Sequence, residues 1–260
     1  MGTPRGVIVA ALVGVAALLA PLAAAETKEE HGVRVSVDGR LLPKKLPRHG
    51  TAPVSVSVSG RIGSKASSPP PKLEKLTIAI NRHGHLSSRG LPRCRLGHID
   101  PSTTREAMAA CAPALVGTGT FSADVRLPEQ SPFPSDGKVL AFNGKLGGRP
   151  AIFAHIYGTD PVPTSYVLPF FIKTSGGTFG TILETSLPRV TGEWGFVTGI
   201  SMTLDRRFTV GGKQRSFISA GCPAPDGFGL ATFPLIRTSF GFEGGVKVTS
   251  TVNRVCKVGG

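Results

Sequence analysis

Apolar and polar residues alternate along most of the chain. Leu115, Gly117, Gly119, Phe121, Ala123 and Val125 are apolar or small. Between them, Val116, Thr118, Thr120, Ser122, Asp124 and Arg126 are mostly polar. A period of two held over this stretch predicts a strand with one buried face. Similar alternating or apolar runs occupy 33–37, 54–58, 76–80, 139–142, 151–157 and 166–172. More follow at 179–183, 196–204, 216–220, 233–242 and 246–255. The expected fold is therefore all-β, an antiparallel β-sandwich or partly closed barrel of about twelve strands. The 34 Gly and 22 Pro suit the many turns this needs.

One stretch departs from the alternation. Residues 100–113 predict one short helix near 101–112, with Asp100 as N-cap, Pro101 in the first turn and Pro113 ending it. Asn81-Arg82-His83-Gly84 predicts a hairpin turn after the 76–80 run. Gly147-Gly148, Ser175-Gly176-Gly177, Gly211-Gly212 and Gly244-Gly245 mark further turns. The Ser/Pro-rich piece 64–71 is the most linker-like. Strand signals flank it, so residues 26–260 read as a single domain with 64–71 as an internal loop.

Residues 1–25 read as a secretory signal peptide. Arg5 is the positive start, 6–22 carries no charge, and Ala23-Ala24-Ala25 supplies a small-residue cleavage site before the acidic Glu26, Glu29 and Glu30. A membrane anchor is the competing reading of the same apolar stretch. Cleavage would leave no transmembrane segment, since the best later run, 166–172, is strand-sized. The expected localisation is secreted, either extracellular or on the cell-envelope surface.

Export gives the four cysteines a meaning. An even count in an exported chain predicts disulfides, and pairing near neighbours closes the smaller loops: Cys94–Cys111 and Cys222–Cys256. Zinc is the alternative, because Cys94 and His98 stand at C-x3-H spacing. No C-x2-C pair accompanies them, so neither a metal nor any other cofactor is expected.

Catalytic signals are sparse. His83 and His85 form an H-x-H pair, but Gly84 lies between them in the expected turn. His155 sits in a strand run with Asp160 five residues on, and Ser165 and Ser201 are candidates for a nucleophile only in the sense that serines are common. Neither a G-x-S-x-G elbow nor a phosphate loop is present. A hydrogen-bonded strand histidine is the plainer account of His155, and an enzyme is not the expected reading. Phe170, Phe171, Phe179 and Phe196 could line a cavity in a barrel or simply fill its core. Trp194 is expected in the core or at a rim.

Charge adds a partner class. The formal net charge is +14. Residues 26–96 hold 14 Lys and Arg against five acids, with the densest basic piece at Arg40, Lys44, Lys45 and Arg48. These four are the candidate polyanion-binding residues, directed at anionic envelope polymers or lipid head groups. An edge guarded against strand pairing would look the same. Export argues against nucleic acid as a physiological partner.

The pieces Gly90-Leu91-Pro92-Arg93-Cys94, Ala107-Met108-Ala109-Ala110-Cys111 and Ala114-Leu115-Val116-Gly117-Thr118-Gly119 come in a recognisable order. Lys45-Leu46-Pro47 precedes them and Gly221-Cys222-Pro223 follows. This order resembles uncharacterised secreted proteins of high-GC Gram-positive bacteria. The resemblance implies export and a disulfide-bonded β fold, and it transfers no catalytic residue. The expectation is a secreted, non-enzymatic binding or structural protein held at the envelope by a basic surface. An apolar-ligand (lipid) carrier and a secreted hydrolase using His155 are the alternatives.

Overall fold

The computed structural model describes residues 25–65, 69–160, 162–187 and 195–259. The first strands are β1 (Glu26–Glu30), β2 (Val33–Leu42), β3 (Lys45–Leu46), β4 (Ala52–Pro53), β5 (Ser55–Ser64), β6 (Leu73–Asn81) and β7 (Gly84–Leu86). Helix α1 (Thr104–Cys111) precedes β8 (Leu115–Val125), β9 (Phe133–Leu146), β10 (Arg149–Gly158), β11 (Thr164–Thr174), β12 (Phe179–Ser186) and β13 (Gly195–Leu204). The chain ends with β14 (Arg207–Val210), β15 (Lys213–Ser216), β16 (Ile218–Ala220), β17 (Leu230–Phe242) and β18 (Lys247–Val258).

Among the described residues, thirteen strands form one curled sheet in the order β1-β2-β5-β13-β8-β9-β10-β11-β12-β6-β17-β18-β3. All neighbours are antiparallel except β18 and β3. The curl brings β18 against β1 and β2, so the sheet is a half-barrel approaching closure. Side-chain alternation explains the curl. Val33, Val35 and Val37 face inward from β2, Ile152, Ala154 and Ile156 from β10, and Val248 and Val252 from β18, all buried in one cluster. The layers meet closely: a Cβ on Gly60 would stand 3.2 Å from the Phe240 ring.

The seam between β2 and β18 is held by a side chain. Arg254 Nε donates to the Gly39 carbonyl at 2.6 Å, and its guanidinium also pairs with Asp38. Arg254 and Asp38 retain only 13% and 23% side-chain exposure.

One end of the barrel is plugged. The three-stranded sheet β4-β16-β7 lies across the end where β2 finishes and β5 begins. Its underside is apolar, with Val54, Leu91, Phe217, Ile218 and Ala220 joining the barrel core. Disulfide Cys222–Cys256 ties this plug to β18, and Cys94–Cys111 ties α1 to the segment before it. Helix α1 and its flanks cover the outer face of β9 and β10, where Leu140, Phe142, Ala151 and Phe153 form a second buried cluster with both bridged cysteines.

Two local expectations shift. The helix lies within 101–112, but its N-cap is Thr103 rather than Asp100. Thr103 and Glu106 form a reciprocal capping box, which satisfies more of the free N–H groups than a cap at Asp100 followed by proline. Asn81–Gly84 is a turn, with Asn81 Oδ1 accepting from the His83 N–H at 3.0 Å, but not a hairpin. The strand after it, β7, pairs with β16 in the plug and not with β6. The helix start shifts because a local capping box wins over the Asp-Pro signal, and the hairpin fails because β7 finds its partner in β16, more than 130 residues on. The piece 64–71 connects β5 to β6, which are not neighbours in the sheet, and 66–68 lie outside the described residues.

Candidate functional site

Four places merit chemical scrutiny: the barrel interior, His155, an outer cleft and the plugged end. The interior holds an apolar cavity of about 60 Å³ bounded by Val58, Ile78, Phe170, Ile200, Met202 and Phe240, among others. Pockets for drug-sized ligands run roughly 300–1,000 Å³, and an apolar cavity of about 150 Å³ holds benzene. This space is too small for an acyl chain. Of the four candidate phenylalanines only Phe170 lines it. Phe171 lies on the outer face with Arg149 stacked 3.8 Å from its ring centre. Phe179 is buried at the plugged end under Arg237, and Phe196 is half-buried on β13 away from the cavity. Trp194 lies outside the described residues.

His155 is fully buried on the outer face of β10, beneath the 99–103 segment. Its Nε2–H donates to the Ser102 carbonyl at 2.9 Å. The hydroxyls of Ser102 and Ser165 stand 3.2 and 3.4 Å from the same nitrogen. Nδ1 is buried with no partner. Burial lowers the imidazole's pKa, against the opposing pull of the Ser102 carbonyl and the Asp100 charge. A hydrolytic base needs its lone pair at a nucleophile and an acid at the other nitrogen. Here the lone pair is on the orphaned Nδ1, and the Ser102 hydroxyl donates to the Ile99 carbonyl at 2.9 Å. Asp160 is engaged with Thr159, and Ser201 with Thr120. The arrangement acts as a strut that fastens the 99–103 segment to the sheet.

His83 is half-buried in the turn, and burial, Arg82 and His85 together lower its pKa. Cys94 is disulfide-bonded and so cannot ligate zinc with His98. Among the described residues no group of three or more His, Cys, Asp or Glu gathers as a metal site. An open cleft of about 790 Å³ lies beside α1, with Arg105, Thr120, Asp136, Lys138 and Tyr157 on its walls. Phe121 also lines it, so its walls mix apolar and polar groups, and the charged side chains on them, Arg105, Asp136 and Lys138, are not fully buried.

The plugged end is the most distinctive surface. The segments that build it are 42–54, 82–99, 144–150, 205–230 and 255–259. Together they hold fourteen Lys and Arg against two acids, Asp205 and Asp226. That is a net +12 of the whole chain's +14. Arg48 is not free to bind. Its guanidinium donates to the carbonyls of Ala224, Pro225 and Phe228 and pairs with Asp226, pinning the 224–228 turn. Arg149 is stacked on Phe171. None of the other twelve is paired with a described carboxylate. Arg89, Arg93, Arg95, Lys145, Arg207, Lys213 and Arg215 are exposed, as are Lys44 and Lys45. Arg40 is exposed beside this end and pairs with Asp38 at 3.4 Å. Along the chain the basic residues are densest in the N-terminal third. The fold gathers the charge at this end from five separate segments.

Compared with protein-family models, curated proteins and solved structures, the chain matches none of them. No helix among the described residues is long and apolar enough to cross a membrane.

Proposed function

We propose that the protein is a secreted, non-enzymatic binding module that associates with anionic components of the cell envelope through the plugged end of its barrel. One observation carries this reading: cations concentrate at one end, where almost no described carboxylate answers them. Such a field draws in and orients a polyanion without needing a shaped pocket. The two disulfides are compatible with an extracellular protein. The resemblance to secreted proteins and the cleavage signal before Glu26 point the same way.

The test separates location from total charge. Arg207→Glu, Lys213→Glu and Arg215→Glu change the plugged end by the same amount as three reversals elsewhere. Lys28→Glu, Arg34→Glu and Lys247→Glu, exposed near the other end, serve as the control. On a polyanionic matrix the first triple should elute at much lower salt than the second. Equal elution of the two triples would refute a located surface. A first residue other than Glu26 in the secreted protein would refute cleavage after Ala25.

A further inference from the structure

Exposed apolar side chains collect beside these cations. Among the described residues five large hydrophobic side chains are exposed: Leu42, Val162, Phe228, Leu230 and Val255. Phe228 and Leu230 are 64% and 57% exposed, more than scattered surface residues need be. Four of the five lie together. Leu230 on β17 is the cross-strand partner of Lys257 on β18, and Lys257 is the partner of Lys45 on β3. Val255 stands two residues before Lys257 on the same outward face, opposite Thr232. Leu42 ends β2 two residues before Lys44, whose carbonyl accepts from the Lys257 N–H at 2.8 Å. Phe228 projects from the turn that Arg48 fixes. Between the apolar groups stand Lys44, Lys45 and Lys257, none of them ion-paired with a described carboxylate.

Resting on the reading above, we infer that this face docks on an anionic lipid bilayer. A hydrated polymer gives Phe228 and Leu230 nothing to enter. A bilayer interface accepts apolar side chains to shallow depth while its phosphates meet the flanking ammonium groups. The side chains are already exposed, so docking requires no unfolding. The rigid turn under Phe228 holds it outward and reduces the ordering cost.

Vesicle flotation tests this with protein recovered from a secreting host. The vesicles are phosphatidylcholine alone, or an equal mixture of phosphatidylcholine and phosphatidylglycerol. Wild type should partition onto the anionic vesicles and ignore the neutral ones. Lys44→Ser, Lys45→Ser and Lys257→Ser together should weaken partition about 100-fold, since each cation near an anionic surface contributes roughly fivefold. Leu42→Ser, Phe228→Ser and Leu230→Ser together should weaken it at least about tenfold while leaving retention on a polyanionic matrix unchanged. Undiminished vesicle binding by that apolar triple overturns the inference. Wild type held by the matrix but not by anionic vesicles overturns it and leaves the basic-surface reading standing. Binding to neither overturns both. A wild-type dimer in sedimentation that the apolar triple dissociates makes a second copy the occupant and overturns it too.

Discussion

The barrel seam offers a sharp test of how this fold closes. Removing the Arg254 guanidinium with Arg254→Met keeps much of the stem and deletes the polar head. The bond from Nε to the Gly39 carbonyl, 2.6 Å long, has a charged donor and is worth about 1.5–3 kcal/mol. The pair with Asp38 lies between surface pairs of about 0–1 kcal/mol and buried pairs whose breakage costs about 3–5 kcal/mol. Asp38 keeps two other partners, the Gly39 N–H at 2.8 Å and Arg40 at 3.4 Å, so it is not stranded. We expect Arg254→Met to lose about 3 kcal/mol. Asp38→Asn still accepts from Gly39 and should lose about 1 kcal/mol. The double variant should show about 1–2 kcal/mol of coupling in chemical unfolding. Amide exchange should quicken along Val33–Leu42 before the rest of the sheet. A loss below about 0.5 kcal/mol for Arg254→Met, or no coupling to Asp38, would refute closure by this side chain.

Gly119→Ala places a Cβ 1.9 Å from the Ser201 carbonyl oxygen and should destabilise by about 3 kcal/mol or more in a denaturant titration. Gly63→Ala meets nothing within 4 Å and should be neutral or stabilising by about 0.4–1 kcal/mol in the same titration. Replacing both Cys222 and Cys256 by Ser opens a separation of 34 residues, against 17 for Cys94 and Cys111. Loop-closure entropy gives losses of about 4 and about 3 kcal/mol, so the melting temperature should fall further for the first pair. His155 has a folded pKa below its unfolded value, so unfolding takes up a proton at low pH. Its contribution is complete above about 6.5 and lost as pH falls through that value, until the folded pKa is passed. His155→Gln should flatten the stability profile between about pH 7 and 5, and an unchanged slope would refute the burial argument. His83, shifted the same way, leaves a residual slope.

The strand pattern was legible because one face of each long strand is buried. Nine of the twelve apolar or alternating runs lie wholly within one strand, 54–58 and 246–255 begin one residue before β5 and β18, and 216–220 crosses from β15 to β16 at Phe217; both disulfides pair as their spacing suggests. Strand β1, Glu-Thr-Lys-Glu-Glu, carried no signal because almost all of its side chains are exposed, and its order comes from backbone pairing to β2. Strands β3, β4 and β7 have two or three residues, too few to show a period. Candidate chemistry was less readable. A run of cations looked like a site at 40–48, yet Arg48 spends its donors on carbonyls more than 170 residues away. Leu230 and Lys257 become neighbours only through strand register.

The asymmetry of the two ends follows from the fold. Along the barrel wall, outward hydroxyls satisfy one another: Thr120 with Ser201 and Ser57 with Thr203, both at 2.8 Å, and Thr27 with Ser36 at 2.7 Å. Where the wall does carry charge, Glu184 answers both Lys75 and Lys173. The plug must present an apolar underside to the core, so its polar content is confined to its outer surface. Near the opposite end, Glu29 engages Arg34 and Lys65, and Asp124 engages Arg126. Arg34, Lys65 and Arg126 there have carboxylate partners, whereas twelve cations at the plug have none among the described residues. The resulting field runs along the barrel axis and turns the molecule plug-first toward any anionic surface, with an attraction that falls as salt rises. Electrostatic approach therefore presents Phe228 and Leu230 to the same surface that attracts Lys44, Lys45 and Lys257. Salt should therefore slow arrival, and apolar truncation should hasten departure.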